Sequence, residues 1–314
     1  MVRSAAPATQ CQITDPRLPE ISGLVAVRDR LLAINDGGDQ VAIYIMDSAC
    51  RVIDVKTAVI DPFDPEDMAV AADGTVWIAD TGDNGATRPT VALVAVRPDG
   101  TTSLYRLTYP DGAHDAEALL LAPDGTPYIV TKEVLGASSV YRPVAGLVDG
   151  GTVAMGKVAS INVTLTGTPG GPVGRAGQLL ITGGAVAANG AHLAVRTYTD
   201  AYVWPLAGSD VVGALATAPV RVALPDSPQG EAISFTSDSS ALLVASEGTP
   251  SDVTVVPLPA VAAAPAGETA AGPTASLTDF TSSGLSPITS GIIAACVATM
   301  IVWLGGLLRR RHRP

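Results

Sequence analysis

One unit returns five times along the chain in a single internal register, and it limits the fold more than any other feature. Its centre is a turn between two apolar runs: Asp29-Arg30, Asp73-Gly74, Asp124-Gly125, Asn189-Gly190 and Asp238-Ser239. Asp-Gly and Asn-Gly in that setting mark a hairpin, because both turn positions tolerate positive φ. Eight residues before the second turn residue stands an anchor position, held by Ser22, Glu66, Glu117, Thr182 and Glu231. Successive anchors lie 44, 51, 65 and 49 residues apart, the length of a four-stranded propeller blade.

The rest of each unit follows. Third strands are expected at Val41–Ile45, Val91–Val96, Ser139–Tyr141, Tyr202–Leu206 and Val253–Val256, and fourth strands at Arg51–Val55, Ser103–Leu107, Lys157–Ile161 and Val220–Leu224. The fifth unit has no fourth strand of its own, whereas Gln12-Ile13-Thr14 precedes the first unit without a partner. The N-terminal strand is therefore expected to complete the last blade and close the ring, which removes exposed sheet edges. The fold class is all-β, a propeller of four-stranded blades over residues 11–258. Five blades are visible, and six is the alternative if the Gly-, Pro- and Thr-rich stretch Val163–Gly184 holds a degenerate one.

Composition bears on partners and compartment. Gly and Pro are abundant and aromatics scarce, which suits short strands and tight turns better than long helices. The formal charge is −11, and without the C-terminal Arg309, Arg310, Arg311 and Arg313 the remainder carries −15. Nucleic acid and anionic lipid heads require a cationic footprint, so they are excluded as partners of such a surface. Ile288–Leu308 is 21 residues long without a charge, enough for one transmembrane helix, with Trp303 near its end and the arginine run directly after it. The positive-inside rule then places the tail 309–314 in the cytoplasm and the propeller outside, as a single-pass protein of the cell membrane.

Residues 259–287, rich in Ala, Pro, Gly, Thr and Ser, read as a mobile linker. Met1–Gln10 holds a single Arg and no apolar run, so the exported reading expects a start that is trimmed or misassigned. With Cys296 in the apolar segment, Cys11 and Cys50 read as one disulfide of an exported domain, fastening the closing strand to the first blade.

Propeller geometry turns the repeat into a site. First strands line the central channel, and hairpins return second strands to the rim, so anchors and second-strand exits gather on one face. That face is expected to hold Asp36, Glu66, Asp67, Asp80, Glu117, Glu133, Glu231 and Glu247, with Lys132 and Arg196 as the nearby bases. Carboxylates so crowded call for a cation, a base or raised pKa values. Hard oxygen donors without a thiolate or histidine cluster favour Ca²⁺ over zinc. Glu66, Asp80, Glu117, Glu231 and Glu247 are the candidate metal ligands, and Asp36, Asp67, Lys132, Glu133 and Arg196 the candidate binding mouth.

The run Glu66-Asp67-Met68 through Asp80-Thr81-Gly82-Asp83-Asn84 resembles the blade signature of NHL-type and gluconolactonase-type six-bladed propellers. Gln229–Phe235 and Leu242–Gly248 look like the phytase-related, esterase-like group. With Val195–Thr199 they also resemble membrane-anchored surface propellers of high-GC Gram-positive bacteria. The resemblance covers about Ile21–Pro257 and implies Ca²⁺ held by acidic residues at the channel mouth, where Glu66, Asp80, Glu117, Glu231 and Glu247 fall. Only three Lys occur, and Lys132 alone lies near this face, a departure from the basic surface a phosphate-gripping site would need.

His114, beside Asp115-Ala116-Glu117, is the candidate general base. No Gly-x-Ser-x-Gly elbow supports a hydrolase triad, and the Gly-Gly pairs lack the Lys and helix of a phosphate loop. Two functions from different classes fit. The favoured one is a membrane-anchored, monomeric binding or scaffold propeller presenting an acidic mouth to a protein, a cell-wall ligand or a cation. The alternative is a Ca²⁺-dependent hydrolase of the lactonase or phosphoester type. They part on whether the carboxylates converge within ligand distance of one point.

Overall fold

The computed structural model describes residues 6–258. The expected linker 259–287, transmembrane helix 288–308 and basic tail lie outside the described residues, among which no helix is long and apolar enough to cross a membrane.

Twenty strands form five four-stranded units. β1 (Ala8–Ile13) precedes blade 1, which consists of β2 (Ile21–Val27), β3 (Arg30–Asn35), β4 (Val41–Met46) and β5 (Val52–Ala58). Blade 2 comprises β6 (Pro65–Val70), β7 (Val76–Asp80), β8 (Val91–Val96) and β9 (Thr102–Thr108); blade 3 comprises β10 (Ala116–Leu121), β11 (Pro127–Thr131), β12 (Ala137–Pro143) and β13 (Thr152–Asn162). Blade 4 holds β14 (Ile181–Val186), β15 (His192–Thr197), β16 (Asp200–Pro205) and β17 (Val220–Ala223), and blade 5 holds β18 (Gly230–Phe235), β19 (Ala241–Ser246) and β20 (Ser251–Pro257). Within each blade the strands pair antiparallel in order. The outer strands β9 and β13 also pair with each other in parallel, joining blades 2 and 3 into one eight-stranded sheet.

β1 pairs with β20 and completes blade 5. The innermost strands then form a closed ring, β2 against β6, β10, β14, β18 and back to β2. The Cys11–Cys50 disulfide is present, with Cα atoms 5.7 Å apart, and ties the closing strand to the β4–β5 turn of blade 1. The described residues thus make five blades, not the six of the propellers whose signature the chain resembles. Val163–Gly184 is no blade: it holds a loop and one 3₁₀ turn (Gly174–Gln178) before β14 begins at Ile181.

Apolar side chains fill the wedge between neighbouring blades. Ile34, Met68, Ile78 and Val94 meet between blades 1 and 2, Leu93, Leu119 and Tyr141 between blades 2 and 3, and equivalent groups occupy the other wedges. A ring of five leaves little room at the axis. A Cβ on Gly183 would meet the Glu231 carbonyl at 2.4 Å, so the bare backbone of β14 is what lets β18 come this close.

The turn chemistry repeats as expected in four blades, with Gly74, Gly125, Gly190 and Ser239 at positive φ of 86°, 85°, 68° and 60°. Blade 1 differs: β2 continues to Val27 and β3 starts at Arg30, so the turn is Arg28-Asp29 and the left-handed residue is Arg28 (φ 54°).

Candidate metal centre

The anchor position of the repeat is a β-bulge in every blade. Pairing of the first two strands slips between Ile21 and Gly23, Pro65 and Asp67, Ala116 and Ala118, Ile181 and Gly183, and Gly230 and Ile233. The residues left over are Ser22, Glu66, Glu117, Thr182, and Glu231 with Ala232. A bulge adds an unpaired residue and re-aims its side chain, a device found next to functional sites. The hydroxyl anchors lace the ring, Ser22 Oγ donating to the Glu66 carbonyl and Thr182 Oγ1 to the Gly230 carbonyl at 3.0 Å. The glutamate anchors converge.

Two groups of carboxylates result, Asp36 with Asp64 and Glu66, and Glu66 with Asp115 and Glu117. Within each, one oxygen per residue lies within 4.8 Å of the others, and Glu66 belongs to both. The second-strand exit of blade 2 holds this arrangement. Asp80 accepts the amides of Phe63 (3.1 Å) and Asp64 (2.9 Å) and pairs with Arg88 at 3.0 Å, fixing the loop that carries Asp64. The Asp83 amide donates to Asp115 at 2.8 Å, and its carboxylate accepts the Arg88 amide at 2.7 Å. Between them Gly82 makes room, since a Cβ there would stand 2.1 Å from Glu66 Oε1 and 2.7 Å from Asp64 Oδ2.

Electrostatics explain the cost of this arrangement. Two unit charges 5 Å apart at an effective dielectric of about 20 repel by roughly 3 kcal/mol. Burial, and then the neighbouring carboxylates, push Glu66 well above the usual range and Asp36 up to about 9. Burial likewise raises Glu117 and Asp115, against the opposing pull of Lys132. Lys132 Nζ lies 2.5 Å from Glu117 Oε1 and 5.5 Å from the centre of the Tyr198 ring. Burial works against its charge, but Glu117 and its neighbours reverse that and hold it well above the ordinary lysine value. On the same side Glu231 hydrogen-bonds Glu247 and accepts Gln229 Nε2 at 3.1 Å. Burial and the mutual interaction set Glu231 at about 8, and burial sets Glu247 at about 7.

The donor set fits a hard divalent cation. All donors are oxygens, and Ca²⁺ ligated at 2.3–2.6 Å holds its ligand atoms no more than about 5 Å apart, the spread of each group. Neither group includes a histidine or thiolate that would point to zinc.

The expected residues fall in several places. Asp36, Glu66 and Glu117 join the carboxylate groups, and Glu231 and Glu247 form the adjoining pair. Asp80 lies outside both groups and positions Asp64. Asp67 and Arg196, expected at the mouth, require correction. Asp67 is fully buried, and its carboxylate accepts the amides of Met68 (2.8 Å), Leu119 (2.8 Å) and Gly184 (3.0 Å), pinning β6 to β10 and β14. Arg196 is 1% exposed and donates to the carbonyls of Thr197, Tyr198, Ala232 and Ala245 at 2.8–3.3 Å, bolting blade 4 to blade 5.

His114 and Glu133 belong to a neighbouring cluster. His114 Nε2 lies 3.1 Å from both Asp111 and the Tyr141 hydroxyl, Nδ1 lies 3.6 Å from Glu133, and Tyr109 packs edge-on against the ring. Asp64 and Asp115 escaped the sequence reading. The signal was there: two residues before the anchor the chain reads Glu20, Asp64 and Asp115 in blades 1 to 3, and Leu180 and Gln229 in blades 4 and 5.

No protein-family model and no curated protein matches the chain. Solved structures do. A gluconolactonase from Xanthomonas campestris is 21% identical over 76% of this chain and 72% of its own, with a TM-score of 0.44. A putative gluconolactonase is 17% identical over 76% of each chain (TM-score 0.43). The PQQ-bound aldose sugar dehydrogenase of Streptomyces coelicolor is 11% identical over 81% of this chain and 96% of its own (TM-score 0.41). The gluconolactonase-type likeness noted in the sequence thus recurs among these structures as a likeness of fold, and the chemistry of the mouth is read from this chain's own residues.

Proposed function

We propose that the chain is a calcium-dependent hydrolase acting on lactones or carboxylic esters at the channel mouth. One observation carries this reading: Asp36, Asp64 and Glu66 each bring a carboxylate oxygen within 4.8 Å of the others, and the nearby Lys132 is engaged by Glu117. Convergence sets a metal-holding mouth apart from a merely acidic surface, and turnover sets a hydrolase apart from a calcium-stabilised binding module. Asp36, Asp64 and Glu66 would hold the ion, which when bound polarises a carbonyl oxygen. Phosphoesters fit less well, because a dianion meets an acidic mouth.

Hydrolysis adds one water across the acyl C–O bond. The water oxygen bonds to the carbonyl carbon, the bond to the alkoxy oxygen breaks, and that oxygen leaves with a proton. The Glu231–Glu247 pair shares a proton and titrates as a unit near neutral pH, which suits it to accept one proton and return another. Lys132 opposes the burial that raises Glu117 and holds its carboxylate in place.

Display outside the cell, on a membrane helix at 288–308, is part of the proposal and is supported by that apolar segment and by the disulfide. Calcium is plentiful there, and extracellular sites bind in the 10⁻⁴–10⁻³ M range. The test is a lactone and ester screen of the purified full chain in calcium and in chelator. Turnover that requires calcium and disappears in Glu66→Gln supports the hydrolase; calcium binding without turnover of any substrate identifies a calcium-stabilised binding module instead.

A further inference from the structure

Asp80 fixes two consecutive residues of the loop between β5 and β6. Its Oδ2 accepts the amide of Phe63 at 3.1 Å and its Oδ1 that of Asp64 at 2.9 Å, so one carboxylate sets an aromatic residue and a carboxylate of the proposed calcium corner together. The ring is also held from behind. Arg88 Nη2 pairs with Asp80 at 3.0 Å, Nη1 donates to the Gly82 carbonyl at 2.6 Å, and the guanidinium carbon lies 4.3 Å from the centre of the Phe63 ring. The Arg88 side chain is 9% exposed, and a cation seated against an aromatic face attracts it and keeps it in place.

Gly82 links this support to the carboxylates, since a Cβ there would stand 2.1 Å from Glu66 Oε1. Ring, guanidinium, Gly82 and Glu66 therefore follow one another in contact. Phe63 is nevertheless 48% exposed on the mouth face, whereas Phe235, in the wedge between blades 4 and 5, is 3% exposed. A single exposed apolar residue needs no explanation. Here the exposed residue is an aromatic ring braced by a buried cation, one position before a proposed metal ligand.

We propose that Phe63 is a substrate-positioning residue of the mouth, taking a flat ring of the substrate against its exposed surface while the ester carbonyl lies at Asp64, so that the preferred substrates are aryl esters. Aromatic rings favour offset stacking on one another, and a ring already braced loses little freedom when a ligand lands on it. The proposal rests on the hydrolase reading and supplies its substrate class.

The test uses the calcium-loaded full chain with phenyl acetate and ethyl acetate, which share the acyl group and differ in the ring. Binding is followed by ligand-observed NMR and hydrolysis separately. Phe63→Ala should weaken binding and raise KM for phenyl acetate about three- to tenfold with little change in kcat, a larger effect than for ethyl acetate, and should leave the calcium titration as it is in the parent. Phe63→Trp should retain the affinity for phenyl acetate, and Phe63→Leu, apolar without a ring, should lose it.

Equal effects on the two esters, full affinity in Phe63→Leu, or a parent that does not bind phenyl acetate overturns the proposal, and the contrast of Leu with Trp decides even if Phe63→Ala fails to fold. A calcium titration changed by these variants also overturns it, because residue 63 then acts through Asp64. Ring-dependent binding without hydrolysis of either ester upholds the role of Phe63 and sinks the hydrolase. Hydrolysis indifferent to residue 63 does the reverse.

Discussion

The two carboxylate groups at the mouth share Glu66 and differ in what answers their charge. Glu66, Asp115 and Glu117 face Lys132, which is bound to Glu117 and supplied by the second-strand exit of blade 3. Asp36, Asp64 and Glu66 stand at the corresponding place between blades 1 and 2, where Asp36 is pushed up to about 9 by burial and by Asp64. One half carries its own cation; in the proposed reading the other takes one from solution. Five copies of a blade therefore do not make five equivalent corners, because the side chain at each second-strand exit differs.

The largest effect should come from removing the internal cation. Lys132→Met leaves Glu117 without its partner, and breaking one side of a buried pair costs about 3–5 kcal/mol. The melting temperature in chelator should fall by roughly 6–12 °C, taking about 3 kcal/mol at 2–4 °C per kcal/mol for a chain of this size. Calcium should restore most of it and the stoichiometry should rise from one ion to two, because the second corner is then free. An unchanged stoichiometry breaks the comparison.

Next in size is Gly82→Ala, whose methyl would displace Glu66 and Asp64. Calcium at 100 times its dissociation constant should add about 2.7 kcal/mol to the parent protein and almost nothing to the variant, as differential melting curves would report.

Acidity should act in the same sense, more weakly. Carboxyls with folded pKa values of about 7 to 9 at Glu247, Glu231 and Asp36 keep protons that the unfolded chain releases near pH 4–5. The stability they contribute is complete below that pH and lost as pH rises through 7 to 9. In chelator the melting temperature should fall by several degrees between pH 5.5 and 8.5, and saturating calcium, which favours the ionised forms, should flatten the curve. His114→Gln should have the smallest effect, leaving the calcium titration unchanged, because His114 contacts Asp111, Tyr141 and Glu133 outside both groups.

How far the sequence shows all this depends on whether a feature is local. Turns at Asp73-Gly74 and Asp124-Gly125 and the anchors eight residues earlier are short-range patterns, so the blade repeat, the closing strand and the disulfide partner are legible. Side-chain roles are less so. Asp36, Asp80 and Arg196 each lie fourteen residues after an anchor, at Ser22, Glu66 and Thr182. One faces the cation corner, one clamps a loop, and one is buried against four carbonyls, two of them from blade 5. For Asp36 and Arg196 the deciding partners come from the next blade and leave no trace in local spacing, while Asp80 is told apart only by its contacts with Phe63, Asp64 and Arg88. The bulge at Glu66 likewise breaks the two-residue alternation, which is why Asp67 turns into the channel beside an anchor that turns to the mouth.

In the proposed reading the corner between blades 1 and 2, with Asp36, Asp64 and Glu66, holds the ion. Isothermal calcium titration of the full chain, its Asp64→Asn variant and its Asp115→Asn variant tests it most directly. One calcium per chain is expected in the parent, none in Asp64→Asn, and one in Asp115→Asn at an affinity within a few-fold of the parent. Binding that survives Asp64→Asn and is lost in Asp115→Asn, or no binding in the parent, would contradict it.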